Sequence, residues 1–275
     1  MYQDILYEAN DPLATITLNR PDQLNAYTPR MGDEIKHAIE RAERDPDIVT
    51  IIITGAGRGF CAGADLGILK KATEGNGFFK SEKLESDPGD STMEGFRAPL
   101  AYMHSVQKPI IAVINGPIAG IGLALALFCD VRFASDKSVF TTAFAQRGLI
   151  AEWGLAWTLP RLVGQAPAIA LILSARKVLP EEAAAIGLVN RVLPADELEN
   201  FSRSYALDLS NNCSPTSLKI MKRQIYMGLH QQLDEAMGDA FRLMNESMTR
   251  PDFKEGVKSF LEKRPPKFPR VGEAN

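Results

Sequence analysis

Residues Lys108 to Asp130, KPIIAVINGPIAGIGLALALFCD, constrain the architecture of this chain more than any other stretch. An apolar strand over 109–114, with Lys108-Pro109 at its start, runs into the small-residue turn Asn115-Gly116-Pro117. Gly120-Ile121-Gly122 then opens an apolar helix over 120–128, and a strand follows at 131–134. Glycines at a loop-to-helix junction let the backbone approach a ligand closely, and the free N–H groups of a helix start favour negative charge. The run Ile51-Ile52-Ile53-Thr54-Gly55, followed by Arg58-Gly59-Phe60-Cys61-Ala62-Gly63-Ala64-Asp65, has the same arrangement. Two such junctions can aim two N–H groups at one oxygen, which is what an oxyanion hole requires.

Strands and helices alternate around these junctions. Thr15-Ile16-Thr17-Leu18 alternates as a strand, and Asn19-Arg20-Pro21 ends it. Thr28 reads as an N-cap with Pro29 at the first helical position, and Met31, Ile35, Ala38, Ile39 and Ala42 share one helical face. That pattern predicts an amphipathic helix over 29–44. The strand over 49–54 is almost wholly apolar, as a parallel strand covered on both faces is. Helices are predicted over 62–72 and 94–105. Between them Thr73 to Glu94, rich in Gly, Ser, Asp and Lys, has little pattern; a loop of that length is often a functional lid. Helices over 165–174, 180–186, 195–211, 214–229 and 231–248 complete the chain, with Pro180, Pro194 and Pro215 near helix starts. The class is α/β, with an α/β core over 1–195 and a helical region over 196–275.

Composition narrows the partners. A chain of 275 residues with 45% hydrophobic content can bury a full core, and a net charge of −3 gives no support for nucleic acid or an anionic membrane as partner. The longest apolar stretches, Ile110 to Ile114 and Leu123 to Phe128, are too short to span a bilayer. Met1 to Asn10 lacks the basic start and apolar run of a secretion signal. Cys61, Cys129 and Cys213 show no CxxC spacing and no paired histidines accompany them, so neither a disulfide framework nor a metal site is expected. A reducing, cytoplasmic location is the simplest expectation. His37, His104 and His230 lie scattered, His104 as a surface or helix-end residue, and no GxSxG or plausible triad order supports a serine hydrolase.

Gly55-Ala56-Gly57-Arg58-Gly59 is not a dinucleotide loop, because the third glycine of GxGxxG falls at Phe60 and no Walker lysine pattern is present. Together, the two junctions resemble the crotonase (enoyl-CoA hydratase/isomerase) superfamily, from about Thr15 to Arg264. The resemblance implies a crotonase-like spiral of ββα units followed by a C-terminal helical trimerisation region, assembled as a homotrimer or a hexamer. It also implies an acyl-CoA or enoyl-CoA thioester as substrate, with coenzyme A as part of the substrate and no permanently bound cofactor. The oxyanion N–H donors fall at Ala64 and Ile121. Leu18-Asn19-Arg20-Pro21…Leu24-Asn25-Ala26 resembles the family's loop beside the adenine pocket, and Phe260-Leu261-Glu262-Lys263-Arg264 its tail motif. Coenzyme A contacts are thereby implied at Asn25, Ala26, Arg58, Ala62, Phe260 and Lys263, the last two often toward a neighbouring subunit. Arg58 alone reads equally well as a solvated turn arginine. Asp65 reads as a structural acid at a helix start.

The acids decide the chemistry. Hydratases of this family place two glutamates around one water; the matching positions here are Ala124 and Phe144, and neither transfers a proton. Eight residues beyond Phe144 stands Glu152, where some of the family's enoyl-CoA isomerases keep a single acidic catalyst. By itself it is a first-turn helix glutamate. Trp153, Phe144 and Trp157 are candidates for an apolar setting that raises its pKa. Enoyl-CoA isomerisation with Glu152 as single acid/base is therefore the expectation. A hydratase, or a thioester or C–C hydrolase with Glu152 orienting water, is the alternative within the family, and a non-catalytic CoA-ester or RNA-binding relative is the alternative outside catalysis. Glu82, Glu85 and Asp87 are reserve acids.

Overall fold

The computed structural model describes residues 2–74 and 96–271; Glu82, Glu85, Asp87 and most of the patternless segment lie outside the described residues. Strand β1 (Ile5–Asn10) runs antiparallel to β2 (Leu13–Leu18). Helix α1 (Pro29–Arg44) occupies the residues its pattern predicts. The Thr28 side chain accepts from Met31 N at 2.9 Å, and the predicted apolar face is buried throughout. Next come β3 (Thr50–Gly55), α2 (Leu66–Thr73), β4 (Ile110–Ile114), β5 (Ile118–Ala119), α3 (Ile121–Leu127), β6 (Val131–Ser135) and β7 (Phe140–Thr141). Helices α4 (Leu155–Val163), α5 (Gln165–Ser174) and α6 (Pro180–Ala185) lead to β8 (Arg191–Leu193). Helices α7 (Leu198–Asn212), α8 (Pro215–Gly228), α9 (Leu233–Thr249) and α10 (Pro251–Glu262) follow.

The main sheet has the order β1-β2-β3-β4-β6-β8, parallel in every pairing but the first. Both faces are covered. Ile51, Ile53, Ile110, Ala112 and Ile114 join the cluster that contains Ile35 and Ile39 of α1 and Leu125 of α3. The alternate residues Ile52, Ile111, Val113 and Phe133 pack with Leu198 and Ala206 of α7. Strands buried on both faces need apolar residues at consecutive positions, which is why these lack polar alternation. Each fully buried isoleucine contributes about 1.5–3 kcal/mol relative to exposure, so the sheet's centre anchors everything built on its ends. Thr50 and Ser210 hydroxyls, 3.0 Å apart, tie β3 to α7 within that apolar layer.

Two predicted helices are corrected. The helix expected over 62–72 begins only at Leu66, because Gly63 has φ +101° and Ala64 bridges to Tyr27 in extended conformation. The helix expected over 94–105 is instead a short 3₁₀ turn, Ala101–His104, within the described residues. Pro99 disfavours helical geometry at Ala98, and Leu100 takes φ +65°. His104 ends that turn and is buried, not on the surface. Burial first, then the charges of Lys222 and Arg132, push its imidazole pKa down to about 3. Strand β1 and helix α10 escaped the sequence pattern: β1 exposes much of its length, and α10 carries exposed Phe253 and Val257. Among the described residues, no helix is long and apolar enough to cross a membrane.

Candidate active site

The two glycine-rich junctions lie side by side. Cys61 and Ile118 form a parallel bridge, reinforced by Phe60 N to Pro117 O at 3.1 Å and Ala119 N to Cys61 O at 3.0 Å. Ala64 and Ile121 each stand three residues beyond that bridged pair, so a parallel pairing brings both to the same end. The close approach demands small residues. A Cβ on Gly122 would lie 2.5 Å from Cys61 O, and Gly120 adopts φ +53° and ψ −122°, a conformation that a side chain would strain.

Several neighbouring amides are taken. Tyr27 N donates to Gly63 O at 2.7 Å, Asp65 N to Tyr27 O at 3.0 Å, and Gly120 N to Thr141 O at 3.1 Å. The N–H groups of Ala64 and of Ile121, the first residue of α3, have no acceptor among the described residues. Both residues line one cleft of about 550 Å³. Its wall also includes Ala26, Arg58, Ala62, Phe144, Glu152 and Trp153. Thus the junction pair, the candidate carboxylate and three of the six expected coenzyme A contacts meet at one place.

The other three do not reach it. Asn25 is fully buried: its Oδ1 accepts from Arg20 N at 2.8 Å, and its Nδ2 donates to Ala56 O at 2.9 Å and Gly59 O at 2.8 Å. It pins the loop that carries Ala26 against the turn that carries Arg58. Phe260, 84% exposed, and Lys263, the C-cap of α10, are absent from this chain's cleft wall. Sequence reasoning missed Leu66, Leu69 and Leu149, which add apolar wall. Leu66 and Leu69 have helical i, i+3 spacing, the one signal that pairs them.

The carboxylates on the described wall are Asp22, Asp65 and Glu152. Asp65 is structural. It precedes α2, its Oδ2 pairs with Arg20 Nη2 at 2.8 Å, and its Oδ1 accepts from Gly67 N at 2.8 Å. Desolvation raises its pKa, but the Arg20 and Gly67 bonds outweigh it and leave the carboxyl below its ordinary value. Glu152 is different. Burial raises its pKa above the ordinary value, with the neighbouring Trp153 side chain opposing that rise. It lies in a turn ahead of α4, not in the helix's first turn, with Leu155 N donating to its carbonyl at 3.0 Å. Trp153 takes φ +56° and Gly154 φ +73°; a bulky residue in the left-handed region costs about 1–3 kcal/mol. Trp157 does not join the cleft wall: it stacks on His230 with ring centroids 5.7 Å apart, beneath the Arg161 guanidinium. Its place in the first turn of α4 directs it elsewhere. The two residues that the sequence resemblance sets against the family's glutamates are Ala124, fully buried in α3, and Phe144 on the cleft wall. The Cys61 thiol is buried and pushed up to about 11 by that burial, so it is a packing residue, not a nucleophile.

Comparison with known proteins fits this geometry. Residues 8–270 match the family described as enoyl-CoA hydratase/isomerase. The chain belongs to that family. It is 36% identical to a Rhodobacter capsulatus protein named "probable enoyl-CoA hydratase", over 97% of this chain and 98% of that one. It is 33% identical to the Escherichia coli 1,2-epoxyphenylacetyl-CoA isomerase, over 98% of this chain and 99% of the relative. A Mycobacterium abscessus crystal structure, titled a probable enoyl-CoA hydratase/isomerase, superposes with a TM-score of 0.83 at 27% identity. That match covers 96% of this chain and 98% of the other, and it establishes the crotonase fold. Relatives carry both hydratase and isomerase names, so the family members divide on the reaction, and the site's own residues have to carry the distinction.

Proposed function

We propose that this enzyme isomerises the double bond of an enoyl-CoA thioester, with the Ala64 and Ile121 amides on the thioester oxygen and Glu152 as the single acid/base. The observation that carries this reading is the wall of the cleft. One carboxylate made more basic by burial lines the same cleft as the Ala64 and Ile121 amides, while Ala124 and Phe144 stand where the sequence resemblance puts the hydratase glutamates. Addition of water needs one group to take a proton from water and another to give one to carbon. Migration of a double bond needs one group that takes and returns the same proton.

For a 3-enoyl thioester, ionised Glu152 removes a proton from the α-carbon. The C–H electron pair enters a dienolate whose charge rests on the thioester oxygen, held by the two N–H groups. The Glu152 acid then delivers the proton to the γ-carbon, leaving a 2-enoyl thioester and a carboxylate ready for another turn. On this reading Arg58 meets a coenzyme A phosphate, with Ala26 and Ala62 against the nucleotide part; all three line the cleft. Phe260 and Lys263 reach a cleft only from a neighbouring copy. A homotrimer or dimer of trimers fits the exposed apolar residues Met221, Ile225, Met237, Phe241, Met244 and Phe260 of α8 to α10.

A second reading, in which Glu152 orients water for hydration or hydrolysis, draws on the hydratase name of the Rhodobacter capsulatus relative. Incubation with 3-enoyl-CoA and 2-enoyl-CoA in heavy-oxygen water, followed by mass spectrometry, separates the readings. Isomerisation leaves the mass unchanged while the absorbance of the conjugated thioester appears. Incorporation of the heavy oxygen supports water addition, and inert substrate supports a binding protein.

A further inference from the structure

We propose that Arg147 is a specificity-determining residue that receives a carboxylate at the far end of the acyl chain, so that the preferred substrate is the coenzyme A monothioester of a dicarboxylic acid. This rests on the reading of the cleft as an acyl-CoA site with the thioester oxygen on the Ala64 and Ile121 amides. The described wall carries two arginines, Arg58 and Arg147, and they belong to opposite ends of the paired junctions. Arg58 stands three residues before the Cys61–Ile118 bridge, with its backbone packed against Gly116. The turn of Arg147 adjoins the other end. There Gly120 N donates to Thr141 O at 3.1 Å, and a Cβ on Gly120 would lie 3.8 Å from the Phe144 ring. With the coenzyme A half directed past Ala26, Ala62 and Arg58, the acyl half runs past Phe144 toward Arg147.

The turn that presents Arg147 is held in a costly shape. Ala143 takes φ +60°, a left-handed conformation that a residue with a Cβ keeps only where its surroundings impose it, often at a ligand site. Ala143 N donates to Thr141 Oγ1 at 3.1 Å, while Arg147 N and Leu149 N donate to Phe144 O at 2.9 and 3.1 Å. Arg147 closes the turn itself, its Nη1 donating to Ala143 O at 2.8 Å. That bond fixes the guanidinium to the wall and leaves Nε and Nη2 to grip the two oxygens of a carboxylate side by side. Asp65 on the same wall is paired with Arg20 at 2.8 Å, but among the described residues no carboxylate pairs with Arg147. A hydrocarbon chain end gains nothing from such a group. A carboxylate gains a charge-assisted pair beside apolar Phe144 and Leu149.

The test measures binding to the full-length chain, apart from turnover. Kd values are compared within matched pairs of saturated esters: glutaryl- against pentanoyl-CoA, adipoyl- against hexanoyl-CoA, and suberoyl- against octanoyl-CoA. In at least one pair the ester with the terminal carboxylate should bind about 10–100-fold tighter. Arg147→Met, which keeps an apolar stem without the charge, should bring that ratio to about one. Arg147→Gln, which keeps a donor for the turn, should do the same, and Arg147→Lys should retain part of the preference. Equal affinities within every pair overturn the proposal, and so does a preference that survives both uncharged replacements. A loss that is equal for both members of a pair and for free coenzyme A also overturns it, because it places Arg147 on a coenzyme A phosphate. A carboxylate preference that depends on Arg147, in an enzyme that isomerises no 3-enoyl-CoA, keeps this site and rejects the isomerase reading.

Discussion

Two carboxylates of this chain are withdrawn from water to very different ends. Asp130 follows α3, and three donors satisfy it: Ile110 N, Lys222 Nζ and the Tyr226 hydroxyl, each at 2.7 Å. Lys222 donates as well to Lys108 O at 3.1 Å, and Tyr226 stacks on His104 with centroids 3.8 Å apart. Burial, with the nearby Asp130 charge, pushes the Tyr226 hydroxyl far above its ordinary value, so that it stays a donor. Glu152 has no such set of donors among the described residues and lines the cleft. A carboxylate held by three donors is fixed in place, whereas one that burial has made more basic at a cleft accepts a proton more readily. The first clamps α8 to the sheet; the second is free to react.

Rate and stability should therefore separate between the two regions. The largest expected effect on rate is at the amides. Ala64→Pro deletes one N–H but spares the Tyr27 pairing, which runs through Gly63 O and Asp65 N. It should lower kcat about 10²–10³-fold with thermal unfolding close to the parent; an equally folded, fully active variant removes Ala64 from the mechanism. Asp130→Ala should do the opposite. It strands Lys222, whose side chain is 7% exposed, and should cost about 3–5 kcal/mol in denaturant unfolding while the folded fraction turns over normally. Unchanged stability would show that the Asp130 cluster is not a clamp. The smallest effect is a pH shift. Since Glu152 must be ionised to take a proton and burial raises its pKa, kcat should fall as pH is lowered, with a midpoint above that of a free glutamate. A midpoint in the ordinary carboxylate range would make Glu152 as solvated, and as unremarkable, as a surface acid.

Those features whose causes are local could be read from the sequence. Helix α1 starts at Pro29 because the Thr28 cap and the apolar face act within one helix, and α5 fits its predicted 165–174 range for similar reasons. Tertiary pairing decided the rest. Ala62 and Ala64 suit a helix locally, but Ala62 N donates to Leu24 O, Gly63 takes φ +101° and Ala64 pairs with Tyr27, which keeps the segment out of a helix. The meeting of Ala64, Ile121 and Glu152 at one cleft followed from the paired junctions and the family resemblance. The places of Asn25 and Trp157 did not, because each depends on what its side chain meets after folding: loop carbonyls in one case, His230 and Arg161 in the other. The left-handed turn at Trp153 has no cue in its own residue type beyond the glycine that follows.

The central claim is that one carboxylate moves the proton. Glu152→Gln retains the size and hydrogen-bonding capacity of the side chain and removes its ability to shuttle a proton. Conversion of 3-enoyl-CoA to 2-enoyl-CoA by this variant, measured beside its affinity for a saturated acyl-CoA, tests the claim most directly. Turnover should fall at least about 10²-fold while the Kd changes less than about twofold. Turnover at the parent rate would contradict the account and move the search to acids such as Glu82, Glu85 and Asp87.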